Sequence, residues 1–366
     1  MLIYINEDFA SNLPKHEEFP IEIFENLLSQ HARLFHYIAA TKKTVHLIEI
    51  AIGLRLSNHA KNTLKVISSQ SNDLTSLLKS MKFYAEVRDI RKNGIDIELK
   101  KNGQLCWICD IHSASNWFSS PLKLIGENIT DAKIFSEASR HFAIVNNFNP
   151  SMRRVTIEMT GGTGNANAVL AERLKDALAP VLLAIDSDKL CPSHPGSDAI
   201  QKCNELISSR SGIAHFHHTD EREVENLLPL DFISGVIDSL NTSKDKDRLL
   251  DNVEILRKIF SEAPDIYSHI DIKNGTCINW LERKKEKLND HFRSAKIFGN
   301  CTCEESCSGF ISPPILEDIL EKSLKFMENI SPKDIRNIFK KDEISSWLNL
   351  GEMVFSMSLS NNVRIT

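Results

Sequence analysis

Between Pro121 and Pro229 short apolar runs alternate with amphipathic stretches. LKLIG, RVTIEM, PVLLAI and GIAHFHH are separated by DAKIFSEASRHF, NANAVLAERLKDAL and SDAIQKCNELISS. Short runs rich in β-branched residues read as strands, and the 3.6-residue period of the segments between them reads as helix. The resulting β-α-β-α-β-α-β order predicts a small parallel sheet with helices on its faces.

The flanks are patterned differently. On the N-terminal side LIYI reads as a short strand, PIEIFENLLSQHARLFHYIAA as a helix after Pro20, and KTVHLIEIAI as a strand. HAKNTLKVISS and DLTSLLKSM read as helices, the second capped by Asn72 or Asp73. FYAEVRDIR, GIDIELKK and QLCWICDIH then follow in quick succession, separated by Asn93–Gly94 and Asn102–Gly103. Asn-Gly between alternating runs is a hairpin signal, which predicts an antiparallel meander. Beyond Leu230 the periodicity is almost wholly helical, interrupted by the loop CTCEESC. The expected class is therefore α/β. An N-terminal mixed α+β region of unknown role is expected over residues 1–118, a parallel-sheet core over 119–240, and a helical C-terminal region with a Cys-rich loop over 241–366.

Composition narrows the setting. A length of 366 residues suggests two or three domains. With 42% hydrophobic and 25% charged residues the chain has the balance of a soluble globular protein, and no apolar run is long enough to span a bilayer. Glu7 and Asp8 stand where a secretion signal carries positive charge, and eight cysteines in so long a chain read as reduced thiols. The expectation is a cytoplasmic protein without membrane contact. A net charge of −5 makes the whole surface no trap for nucleic acid, so such a substrate would need a local basic track. Candidates are Arg283 to Lys287, Arg153–Arg154 and Lys333 to Lys341, each also readable as a solvated helix face.

The candidate chemistry lies where apolar runs end in acid. LKLIGENITD closes on Glu127 and Asp131, and VLLAIDSDK carries Asp186 and Asp188. Strands of a parallel sheet deliver side chains to the crevice at their carboxyl ends, and carboxylates gathered there repel one another unless a cation intervenes. The period of two in DSD predicts that Asp186 and Asp188 point the same way, and hard carboxylate oxygens suit Mg²⁺ or Mn²⁺. Asp131 is also readable as an acid favoured by a helix N-terminus. Gly161 and Gly162, with Gly164, follow the second strand and read either as a tight turn or as backbone N–H groups open to a phosphate. Glu158, Glu223 and Glu225 are candidates for supporting or second-metal roles. His215 and His217 share a face of the fourth strand as further metal, phosphate or structural candidates. Cys301, Cys303 and Cys307, joined by Cys277 or His291, would complete a structural zinc site. No G-x-x-x-x-G-K-[ST] phosphate loop is present.

In their order, ENITD after strand one, GG after strand two and DSD after strand three, these residues resemble the Toprim domain of topoisomerases, bacterial primases and OLD-type nucleases. REVENLLP is similar to the Arg-Glu-x-Glu-Asn run of the OLD-like phage-defence group. Strand one departs by reading Glu-Asn where the family has Glu-Gly, and the ATPase half of OLD proteins has no counterpart. The resemblance, covering about residues 121–230, implies a Mg²⁺- or Mn²⁺-dependent endonuclease cutting DNA or RNA in antiviral defence. A separate ATPase or sensor would be its partner, and a homo-oligomer is within the same expectation. It also implies a lysine downstream of the acids, for which Lys273 is the first candidate and Lys189 the second. The alternative is a catalytically silent core that binds nucleic acid or a nucleotide as a sensor.

Overall fold

The computed structural model of the protein describes residues 1–13, 19–89, 95–209, 212–240, 243–277, 291–292, 309–341 and 345–361. The first half holds β1 (Leu2–Ile5), α1 (Glu7–Asn12), α2 (Ile21–Ala32), β2 (Tyr37–Ala39), α3 (Lys42–Ile52), α4 (Asn58–Ser69) and α5 (Leu74–Ser80). After these come β3 (Phe83–Asp89), β4 (Ile95–Leu99), β5 (Leu105–Asp110) and α6 (Ile111–Trp117). The second sheet and its helices are β6 (Leu122–Gly126), α7 (Ile129–Val145), β7 (Val155–Met159), α8 (Ala166–Asp176), β8 (Val181–Ile185), α9 (Asp198–Ser209) and β9 (Ala214–His218).

The second sheet has the predicted alternation. All its strands run parallel in the order β7-β6-β8-β9. Val181, Leu183 and Ile185 pack with α8 and α9 on one face, while Leu122, Leu124 and Leu182 pack with α7 on the other. Neighbours of β6 are reached by crossovers in opposite directions, so the order reverses between β6 and β8. That reversal opens a crevice at the carboxyl ends of those two strands.

The N-terminal region departs from expectation in three places. KTVHLIEIAI is the helix α3, not a strand: Thr41 caps it by accepting from the Thr44 N–H at 3.0 Å. Its buried residues Val45, Ile48 and Ile52 share one helical face, with Ile50 exposed on the other. The helix after Pro20 stops at Ala32, and Tyr37–Ala39 continues as a parallel strand beside β1. The meander is not formed either. Among the described strands of this sheet only β4 and β5 pair antiparallel, turned at Gly103 with φ +82°, whereas β3 pairs with β5 in parallel; Asn93–Gly94 lies outside the described residues. The order β2-β1-β3-β5-β4 makes this region a second sheet with a parallel centre, its parallel strands following the same 2-1-3-4 sequence as those of the other sheet. Asp73 makes no capping hydrogen bond at the start of α5.

Beyond β9 come α10 (Leu230–Asp238), α11 (Ser243–Glu262) and α12 (Pro264–Tyr267), then a short pairing of Thr276–Cys277 with Phe310–Ser312. Helices Ile319–Asn329, Pro332–Lys341 and Ser345–Ser358 follow. The last lies along α7 and also reaches β3, so one helix touches both sheets. Gly351 makes this possible, because a Cβ there would fall 2.4 Å from the Ala138 carbonyl oxygen. No described helix is long and apolar enough to cross a membrane.

Candidate active site

Glu127 is the first residue past β6 and Asp186 the first past β8, on either side of the crevice. Gly126 makes the strand-to-helix junction tight: a Cβ there would lie 2.7 Å from the Ala132 amide nitrogen. Asn128 then caps α7 reciprocally with Asp131, accepting from its N–H at 3.0 Å while donating from Nδ2 to Asp131 Oδ2 at 2.8 Å. Asp131 is therefore both cap and acid, and at 4% exposure it is buried beneath the crevice.

The glycine pair holds Glu127 in place. Gly161 and Gly162, with φ +73° and +116°, donate their N–H groups to the Glu127 carbonyl at 3.1 and 3.2 Å. The tight-turn reading of these glycines is the one observed, and their amides are engaged with the chain itself. Thr163, just beyond, hydrogen-bonds the Glu127 carboxylate.

Past β9 the chain returns to the same edge. Arg222 lies 3.2 Å from Glu223 Oε1 and 3.6 Å from Asp271 Oδ2. Glu225 is 1% exposed and meets Lys273, whose Nζ stands 2.8 Å from Glu225 Oε1 and 3.6 Å from Glu223 Oε2. Asn226 fastens the segment that delivers this lysine, donating from Nδ2 to the carbonyls of Tyr267 at 2.8 Å and Ile270 at 3.1 Å. The role of Asn226 was not read from the sequence, although it lies in the REVEN phrase.

The electrostatics follow from crowding acids into a partly dry site. Burial holds the Asp186 carboxyl well above its ordinary range, and the charges of Asp131, Glu225, Glu127 and Glu223 push it further. Burial raises Asp131 to about 6, against its hydrogen bonds with Asn128. Glu127 and Glu223 are raised too, burial leading in both. Burial alone would lower the Lys273 ammonium, but Glu225, Glu223 and Asp186 hold it above the ordinary lysine range.

The other candidates differ in their surroundings. Asp188 is exposed and has φ +54°, so the extended alternation ends at Ile185, yet its charge still reaches Glu127 and raises that carboxyl. Burial raises the Asp188 carboxyl, against the nearby charges of Arg222 and His194. Glu158 is paired with Arg173 at 2.7 Å and Lys123 at 3.9 Å. His215 and His217 are mostly buried, and burial lowers them to about 4 and about 3. The His215 ring packs 4.7 Å from Phe83 of the first sheet, in a structural role. Arg153 is no part of a basic track: it donates to the carbonyls of Ser136 and Pro150 and to Ser139 Oγ. Cys277 is buried in the short β pairing with Phe310–Ser312, while Cys301, Cys303, Cys307 and the stretch Arg283 to Lys287 lie outside the described residues.

Among the described residues no three His, Cys, Asp or Glu side chains are grouped so as to cage a metal ion by themselves. A hard cation needs less, since Mg²⁺ keeps several waters and is commonly held by one or two carboxylates. Glu127 Oε1 and Asp186 Oδ1 suit that role, being buried oxygens without a hydrogen-bond partner. Comparison of the chain with protein-family models, curated proteins and solved structures returns no match.

Proposed function

We propose that this chain is a nuclease of Toprim type that hydrolyses phosphodiester bonds of DNA or RNA with Mg²⁺ or Mn²⁺. The observation carrying the proposal is the unpartnered pair Glu127 Oε1 and Asp186 Oδ1, delivered by adjacent strands to the crevice where the sheet order reverses. When bound, the cation would lower the pKa of an attacking water and neutralise charge on the phosphate. Glu127 and Asp186 would hold it. Asp131, raised to about 6, is poised to exchange a proton near neutral pH. Lys273, carried by the Asn226-fastened segment, supplies a fixed positive charge for the developing oxyanion. The resemblance to the OLD-like group adds antiviral defence as the setting and a separate sensing partner.

The test is incubation of the purified chain with plasmid DNA and with tRNA, in Mg²⁺, in Mn²⁺ and in chelator. Cleavage that needs metal and disappears in Asp186→Ala and Glu127→Ala supports the nuclease. Binding of both nucleic acids without cleavage in either metal would move the chain to the second reading, a silent sensor.

A further inference from the structure

A pair of histidines outside the acidic cluster has the attributes of metal ligands. His269 is 5% exposed, and its Nδ1 lies 2.7 Å from the Asp265 carbonyl oxygen. A carbonyl only accepts, so Nδ1 carries the proton and Nε2 presents its lone pair. That Nε2 is buried with no hydrogen-bond partner. His291 Nε2 is buried and unpartnered as well. The two rings stand 5.3 Å apart at an interplanar angle of 84°. Two imidazoles sharing a tetrahedral ion at about 2.0 Å from each nitrogen place their ring centres about 5 Å apart.

Both rings are anchored. His269 belongs to the segment fastened by Asn226, with its neighbour Ser268 accepting from the Arg222 N–H at 2.7 Å. His291 packs edge-on against Phe292, which is buried in the main core. An Nδ1–H donated to a backbone carbonyl is the usual support that orients a metal-bound histidine.

We infer that His269 and His291 form a binding site for a borderline transition-metal ion, Zn²⁺ or Co²⁺, distinct from the carboxylate crevice. Imidazole nitrogen selects such ions over Mg²⁺, which the acids select, so the two sites sort metals by donor type. Among the described residues the ion has two protein ligands, leaving further coordination positions open.

The inference stands independently of the nuclease proposal and is tested without substrate. The full chain carrying Cys301→Ser, Cys303→Ser and Cys307→Ser is titrated with Co²⁺ alone. An ion with the visible absorption of a nitrogen–oxygen site is expected, distinct from any Co²⁺ held by the carboxylates, with no thiolate charge-transfer band. Zn²⁺ should displace it and excess Mg²⁺ should not. His269→Gln and His291→Ala in the same background should each weaken Co²⁺ binding by more than about tenfold, and Asp186→Asn should leave the spectrum unchanged. No Co²⁺ bound with nitrogen–oxygen absorption by the triple Cys→Ser chain, or full affinity in His269→Gln, would overturn the site whatever the outcome for cleavage.

Discussion

Lys273 Nζ lies 2.8 Å from Glu225 Oε1, joining residues from two separate loops across a carboxylate that is 1% exposed. Removing one partner of such a pair leaves the other charge buried and uncompensated. Lys273→Met is therefore expected to destabilise the fold by on the order of 3 kcal/mol in urea denaturation. Glu225→Gln added to Lys273→Met should recover most of that loss. Equal stabilities for the single and double variants would show that the pair is not coupled.

Asp186 should work against stability at alkaline pH. A carboxyl with a folded pKa above its unfolded value favours folding below the unfolded pKa, and that contribution is lost as pH rises through the folded pKa. Burial and its acidic neighbours put Asp186 in this class. Asp186→Asn keeps the shape without the charge, so its Tm should exceed that of the wild type at pH 8. The advantage should vanish toward pH 4, and cleavage should be lost throughout. A lower Tm for the variant at pH 8 would contradict the buried-charge reading.

A cation that relieves the same repulsion should stabilise the fold. At ten times its Kd, Mn²⁺ is expected to add about 1.4 kcal/mol in the wild type and much less in Asp186→Asn. Asp131 titrates at about 6, and Glu127 is also raised, so protons compete with the metal as pH falls. The Mn²⁺-induced rise in Tm should be large at pH 8 and small at pH 5. A pH-independent rise would point to a site elsewhere.

Asn226 reports on how the lysine is positioned. Asn226→Ala removes donors from two buried carbonyls, those of Tyr267 and Ile270, and should cost about 2 kcal/mol. Cleavage should fall more than folding does, because the segment carrying Lys273 is released. Unchanged kcat at a temperature where the variant is fully folded would show that the fastening is structural alone.

The β-α alternation from Leu122 to His218 was legible because each element declares itself over a few residues, as apolar runs or helical periodicity. The acids at the ends of β6 and β8 were legible for the same local reason. KTVHLIEIAI was misread because Val and Ile favour strands, and the spacing of Val45, Ile48 and Ile52 outweighs that preference once there is a core to face.

What only the tertiary structure decided is which elements and side chains meet. The sequence between β3 and β5 specifies a hairpin at Asn102–Gly103, but the parallel pairing of β3 with β5 depends on strand partners chosen across the whole sheet. The left-handed turn at Asp188, which ends the strand alternation, is set by the loop after β8 and by the hydrogen bond of its N–H to the Arg222 carbonyl. Lys273 reaches Glu225 because Asn226 holds a distant segment by two carbonyls. Residue types and local periodicity are short-range properties that the chain itself determined. Convergence of loops at one sheet edge is a product of long-range packing, which no local window contains.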